Sequence, residues 1–138
     1  VTAAGGRPEF NIDWGISQWL QHIPASKIVM GLPSYGRAWT GATGEYTQGT
    51  GAHGGSPPFF EAGLLSYGDI AQNYAHGRAG CTRHWNAVSK VPYISCTNGD
   101  FISYDDDQSV GEKVRFAHER NLGGIMWWEV SLSPSRLK

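Results

Sequence analysis

The sequence predicts an α/β fold: two short strands running parallel as neighbours, each preceded by a helix, with an α+β block inserted between them. Three observations predict it. Residues 28–33 and 124–130 are almost wholly apolar runs, as in strands covered on both faces. A helical apolar period precedes each run. Between them lie short strand candidates punctuated by turn residues.

The elements follow in chain order. Residues 1–10 read as irregular, with Gly5, Gly6 and Pro8. Ile12, Ile16, Trp19, Leu20 and Ile23 then fall at i, i+4, i+7, i+8 and i+11, the stripe of an amphipathic helix. Asn11 is placed to cap it and Pro24 to stop it. The first buried strand, Ile28-Val29-Met30-Gly31-Leu32-Pro33, ends where Ser34-Tyr35-Gly36-Arg37-Ala38-Trp39-Thr40 brings polar and aromatic groups together. Residues 41–58, rich in Gly and closing on Pro57-Pro58, form a long loop.

A helix is expected over 63–76, with Tyr67, Ile70, Ala71 and Tyr74 on one face and Ser66 as cap. Strands are expected over 80–86, 91–96 and 100–104, the last two separated by the Asn98-Gly99 turn. Ser109-Val110-Gly111-Glu112 reads as a capping box opening another helix, striped by Val110, Val114 and Ala117 and ended by residues 121–123. The second buried strand, Gly124-Ile125-Met126-Trp127-Trp128-Glu129-Val130, closes the pattern. Two parallel strands cannot stand alone, because both faces need cover and a closed barrel of this type has eight strands. Either the chain is part of a larger domain or the strands pair differently.

Composition narrows the function. The 138 residues suffice for one compact domain, and 40% hydrophobic with 17% charged residues is a globular balance. A net charge of −1 gives no reason to expect nucleic acid or an anionic membrane as partner. No run of about 18 apolar residues exists, so no transmembrane helix is expected. Six Trp and six Tyr suit flat amphipathic ligands such as sugars, and also ordinary cores. Cys81 and Cys96 fall nearly opposite each other in an expected hairpin. We assign them as a disulfide, which suits an oxidising extracellular setting; two buried free thiols is the alternative. The chain starts at Val1 without Met and reads as a processed form or an excised fragment.

Several segments together resemble the family 18 glycoside hydrolases, the chitinases. Residues 27–37 resemble the seventh strand of their (β/α)8 barrel, and residues 123–129 the eighth. Val91-Pro92-Tyr93, Tyr104-Asp105-Asp106 and residues 109–113 resemble their α+β insertion domain and the helix after it. The similarity covers roughly residues 11–130, in order. It implies the C-terminal portion of a TIM (β/α)8 barrel with an α+β insertion domain. The divisions are a barrel segment over 1–40, the insertion over 41–104 and a barrel segment over 105–138.

The resemblance also implies substrate-assisted hydrolysis of β-1,4-linked N-acetylglucosamine chains by a secreted protein. No metal or organic cofactor is expected. The partners would be chitin or chito-oligosaccharide and the remainder of the barrel, with neither nucleic acid nor membrane. The catalytic signature Asp-x-x-Asp-x-Asp-x-Glu is absent from this sequence, so no catalytic acid carries over. Substrate-binding residues do. By resemblance the Tyr35 hydroxyl bonds the sugar near the cleavage point, Arg37 donates on the leaving-group side, and Trp128 floors the sugar being cleaved. Glu61 and Phe60 would line the cleft wall.

Each residue also has a plainer reading. Arg37 could simply pair with a carboxylate across a loop. Trp127, adjacent to Trp128 on a strand, points to the opposite face and is expected in the core. Trp39 is expected to pack between barrel and insertion. Asp105 and Asp106 read as helix N-terminal charge, and Glu129 as a structural group at the rim. His22, His53, His76, His84 and His118 show no metal-ligand spacing. The Gly-rich stretch 49–55 lacks the Lys-Ser/Thr of a phosphate loop. Two other functions stay open. One is a non-catalytic chitin-binding lectin. The other is hydrolysis by this chain itself, through Glu61 with Glu129 or Asp105, which requires carboxylates about 5–9.5 Å apart.

Overall fold

The computed structural model describes residues 7, 9–77 and 80–132. Gly5, Gly6 and Pro8 of the expected irregular start, and the outermost residues of both barrel segments, lie outside the described residues.

Helix α1 (Ile12–Trp19) is capped as expected, the Asn11 side chain accepting the Trp14 N–H at 2.9 Å. It stops short of Ile23. His22 and Ile23 instead donate to the Trp19 carbonyl in a closing turn, and Pro24 leads into a 3₁₀ turn at Ala25–Lys27. Strand β1 (Val29–Pro33) follows, and then, after Ser34, β2 (Tyr35–Thr40). The sequence reading ended the strand at Ser34. The chain in fact begins a second strand there, burying Gly36 and Ala38 while Tyr35, Arg37 and Trp39 take the other face. Small inward residues hide this alternation from a hydrophobicity count. They are required, because a Cβ on Gly36 would stand 2.7 Å from Ile70 Cδ1 and 2.8 Å from the Ser103 carbonyl.

The expected loop contains the short strand β3 (Gly51–Ala52). The expected helix over 63–76 divides into β4 (Leu64–Ser66) and α2 (Tyr67–Asn73), with Ser66 capping through the Asp69 N–H at 3.2 Å. Strands β5 (Cys81–Asn86), β6 (Val91–Cys96) and β7 (Phe101–Ser103) stand where the turn signals put them. Helix α3 (Asp107–Glu119) opens three residues earlier than expected. Its N-cap is Asp106, whose carboxylate accepts the Gln108 and Ser109 N–H groups at 3.1 Å. Ser109 is the reciprocal member of this box, its hydroxyl accepting the Asp106 N–H at 3.0 Å. Asn121, at φ 51°, turns the chain into β8 (Gly124–Trp128).

Two sheets result. β1 and β8 pair in parallel, from Val29 opposite Gly124 to Pro33 opposite Trp128. The other sheet is antiparallel, in the order β3-β2-β7-β6-β5, with β4 also on β2. Its core is Ala38, Leu65, Ile70, Ile94, Ile102 and Tyr104. The parallel pair packs Met30, Leu32 and Trp127 against Ile12 and Ile16 of α1 and Phe116 and Ala117 of α3. Full burial of these strands was expected and is not found: Val29, Met126 and Trp128 are exposed on one face, and Ile125, on the Trp127 face, is 38% exposed. The expected disulfide is present: Cys81 and Cys96 face each other across β5 and β6 and are bonded, with a sequence separation of 15.

Candidate functional site

The two sheets meet at Ser34. Its backbone N–H donates to the Trp128 carbonyl at 2.7 Å, and its carbonyl accepts the Tyr67 N–H at 2.9 Å. Ser34 is buried, so both bonds are shielded from competing water. One residue further on, Tyr35 starts β2. The end of β8 and the start of β2 therefore share one rim. Trp128 is 61% exposed there, whereas Trp127 turns into the core beside Leu32. The alternation expected of adjacent strand residues holds.

Arg37 lies on the same face of β2 as Tyr35, its guanidinium carbon 5.6 Å from the Tyr35 ring centre. Its Nη1 donates to Glu61 Oε1 at 2.7 Å, and both side chains are about half exposed. Arg37 thus pairs across a loop, as the plainer reading had it, through one of the five donor N–H groups of its guanidinium. Glu61 reaches Arg37 because the loop before β4 doubles back tightly. A Cβ on Gly55 would stand 2.3 Å from the Glu61 carbonyl, so only glycine fits there. The Phe60 N–H donates to the Ser56 carbonyl at 3.0 Å, and the Gly63 N–H to the His53 carbonyl at 2.7 Å. Phe60 itself is 67% exposed with φ 51°, a large apolar ring held outward beside the ion pair. Tyr35, Arg37, Glu61, Phe60 and Trp128 thus carry ring faces and charge on surface-exposed or half-buried positions.

Asp105, Asp106 and Glu129 are each engaged by neighbouring groups. Asp105 is 5% exposed rather than a solvated helix-end charge, and accepts from Lys113 Nζ at 2.5 Å and Ser109 Oγ at 2.7 Å. Asp106 is the helix cap and also pairs with Arg83 at 2.7 Å. Glu129 accepts from the Ser131 hydroxyl. Asp105 is committed to a buried ammonium, which leaves it unsuited to act as a hydrolytic base. Lys113 carried no signal in the sequence, since its partner lies eight positions upstream, before the helix begins.

Among the described residues no group of three His, Cys, Asp or Glu could hold a metal ion, and no helix is long and apolar enough to cross a membrane. His53 packs edge-on against Tyr74 and His84 stacks on Tyr93. Three tyrosines are pushed up by their surroundings. For Tyr104, burial and then the Asp106 charge raise the phenol to about 12, partly offset by Arg83. Burial, then Asp69 and Asp100, raises Tyr74; burial, then Glu45, raises Tyr93. Trp39 lies against Phe101 and is 41% exposed.

With these positions fixed, the profile of glycosyl hydrolases family 18 matches residues 1–132. This chain belongs to glycosyl hydrolases family 18. Its family 18 relatives include chitinase A1 of Niallia circulans, 41% identical over 95% of this chain and 20% of that protein. Human chitinase-3-like protein 2 is 35% identical over 89% of this chain and 31% of its own length. A Bacillus thuringiensis chitinase superposes with a TM-score of 0.81 at 32% identity, over 90% of this chain and 22% of that structure. Human YKL-39, a pseudo-chitinase with retained chitooligosaccharide binding, gives 0.80 at 30% identity over 95% of this chain and 36% of that one. The chain spans between a fifth and about a third of the curated relatives named here. The family 18 fold neighbours are TIM-barrel chitinases and their relatives.

Proposed function

We propose that this chain forms one wall and part of the floor of a chitin-binding cleft. In this reading β1 and β8 are the seventh and eighth strands of a (β/α)8 barrel, residues 1–40 and 105–138 are barrel segments, and residues 41–104 are the α+β insertion domain. The remainder of the barrel covers the exposed face of Val29 and Met126. Trp128 supplies a flat surface for the C–H face of an N-acetylglucosamine ring. The Tyr35 hydroxyl and the Arg37 guanidinium donate to its polar edge, with Glu61 orienting Arg37 and Phe60 lining the wall. The catalytic acid is supplied from outside this sequence. The parent protein is a secreted chitinase acting on β-1,4-linked N-acetylglucosamine, and needs no metal or cofactor.

One observation carries the reading: the parallel register and the Ser34 N–H set the exposed Trp128 indole at the same rim as Tyr35 and Arg37. A second reading, a non-catalytic lectin, is favoured by the likeness to YKL-39, which is described as retaining oligosaccharide binding. Calorimetry of the 138-residue chain with an N-acetylglucosamine hexamer, together with a reducing-end assay, tests the proposal. Binding without hydrolysis is expected, and Trp128→Ala should weaken it by roughly 30-fold, as loss of an aromatic anchor does. Reducing ends released by the chain alone would overturn the outside acid. Binding indifferent to Trp128→Ala would overturn the platform.

A further inference from the structure

One face of the antiparallel sheet carries a row of rings in strand order: Trp39 on β2, Phe101 on β7, Tyr93 on β6 and His84 on β5. Neighbouring ring centres are 6.2, 5.3 and 4.8 Å apart. The inner pairs stack at 24° and 17°, so their faces cover one another. Trp39 ends the row, tilted 49° from Phe101 and partly exposed, and so keeps ring surface open. Residues 41–50 pass over it. Under them a cavity of about 450 Å³ is lined by Trp39, Phe101, Tyr46, Thr47 and Gln48, within the usual range of small-molecule sites.

Tyr46 bounds this cavity, 69% exposed and at φ 61°, a backbone region that disfavours bulky residues. The segment is pinned from beside it. Glu45 Oε1 accepts from Asn86 Nδ2 at 2.6 Å, which ties the loop to β5. The Tyr46 hydroxyl accepts from Asn86 Nδ2 at 3.4 Å, which anchors its tip while most of its ring stays wet at the cavity it shares with Trp39. The two rings make an aromatic pocket with hydroxyl and amide groups at its edge. That combination fits a pyranose, which is apolar on its C–H face and polar around its rim.

We propose that this cavity is a second sugar site, taking one end of a β-linked N-acetylglucosamine chain between Trp39 and Tyr46. The proposal rests on the chitin reading above. Tyr35, Arg37 and Trp39 alternate along one face of β2. Two residues advance about 6.8 Å along a strand, so Trp39 lies about 14 Å beyond Tyr35, the reach of an oligosaccharide rather than a single sugar. A chain leaving the Tyr35 rim along this face would arrive at Trp39.

The test is an amide-proton titration of the full chain with the N-acetylglucosamine trimer, following the indole N–H signals of its six Trp. Trp39→Phe and Trp128→Ala assign two of them. The Trp39 signal should shift and saturate, and should still do so in the Trp128→Ala chain. Tyr46→Ala, at an exposed position, should weaken that event about tenfold and leave the melting temperature unchanged. A motionless Trp39 signal beside a shifting Trp128 signal overturns the second site and leaves the cleft standing. A Trp39 shift that disappears with Trp128→Ala likewise overturns it, since one site would account for both. If neither signal moves, the cleft and the second site fall together.

Discussion

Arg37 and Glu61 meet at 2.7 Å across the width of the loop that precedes β4, and both remain about half exposed. An exposed ion pair contributes only about 0–1 kcal/mol to folding. In the proposed cleft its use is in orienting the guanidinium. Arg37→Ala and Glu61→Gln should each leave the melting temperature nearly unchanged and each weaken chito-oligosaccharide binding by about three- to tenfold. The double variant should lose little more than either single one. Calorimetry on all three would reveal independent roles if the losses simply multiplied.

Lys113 and Asp105 form a different kind of pair, because both are buried. Removing one partner of such a pair costs about 3–5 kcal/mol, since the other charge stays desolvated and alone. Lys113→Met should therefore cost far more in urea denaturation than the double variant Lys113→Met, Asp105→Leu. A single variant as stable as the parent would mean that water reaches Asp105.

Tyr104 links stability to alkaline pH. Its folded phenol is raised to about 12 from the ordinary tyrosine value of 10.0. Between those values the folded state holds the proton and the unfolded state releases it, so stability falls as pH rises. This corresponds to roughly 2–3 kcal/mol of stability, fully present below about pH 10 and lost as pH rises through about 12. The difference in unfolding free energy between the parent and Tyr104→Phe, followed from pH 9 to 12, isolates this slope from other titrations. A constant difference would exclude it.

The Cys81–Cys96 bond closes a loop of sequence separation 15. Loop closure of that size stabilises by about 3 kcal/mol, or roughly 10 °C in melting temperature for a chain this long. Scans with and without reductant, and of the Cys81→Ala, Cys96→Ala double variant, should show that drop. Reductant acting on the double variant as well would assign the effect elsewhere.

Legibility in the sequence tracked how each element is specified. β1, β8 and the hairpin of β5 and β6 were readable because long apolar runs and paired turn residues specify them locally. β2 was not, because its buried side is Gly36 and Ala38, whose fit is dictated by Ile70 and Ser103 from distant elements. The start of α3 was displaced because Asp106 and Ser109 are both good caps three residues apart, and only tertiary contacts choose between them. Tyr35, Arg37 and Trp128 were singled out by the resemblance to the family, helped by their places at strand ends. The Arg37 to Glu61 pairing, the buried lysine and the pocket beside Trp39 depend on loops folding back, which no local periodicity encodes.

Ser34 has one last consequence. The two peptide units that flank Ser34 are each held by a neighbour, the first through the Trp128 carbonyl and the second through the Tyr67 N–H. The backbone spacing between Tyr35 and Trp128 is then set by main-chain hydrogen bonds sheltered from water, while the two rings still turn about their own side-chain torsions. Ligand selection at this rim should accordingly behave like a fixed gauge, admitting what already fits rather than closing around what arrives.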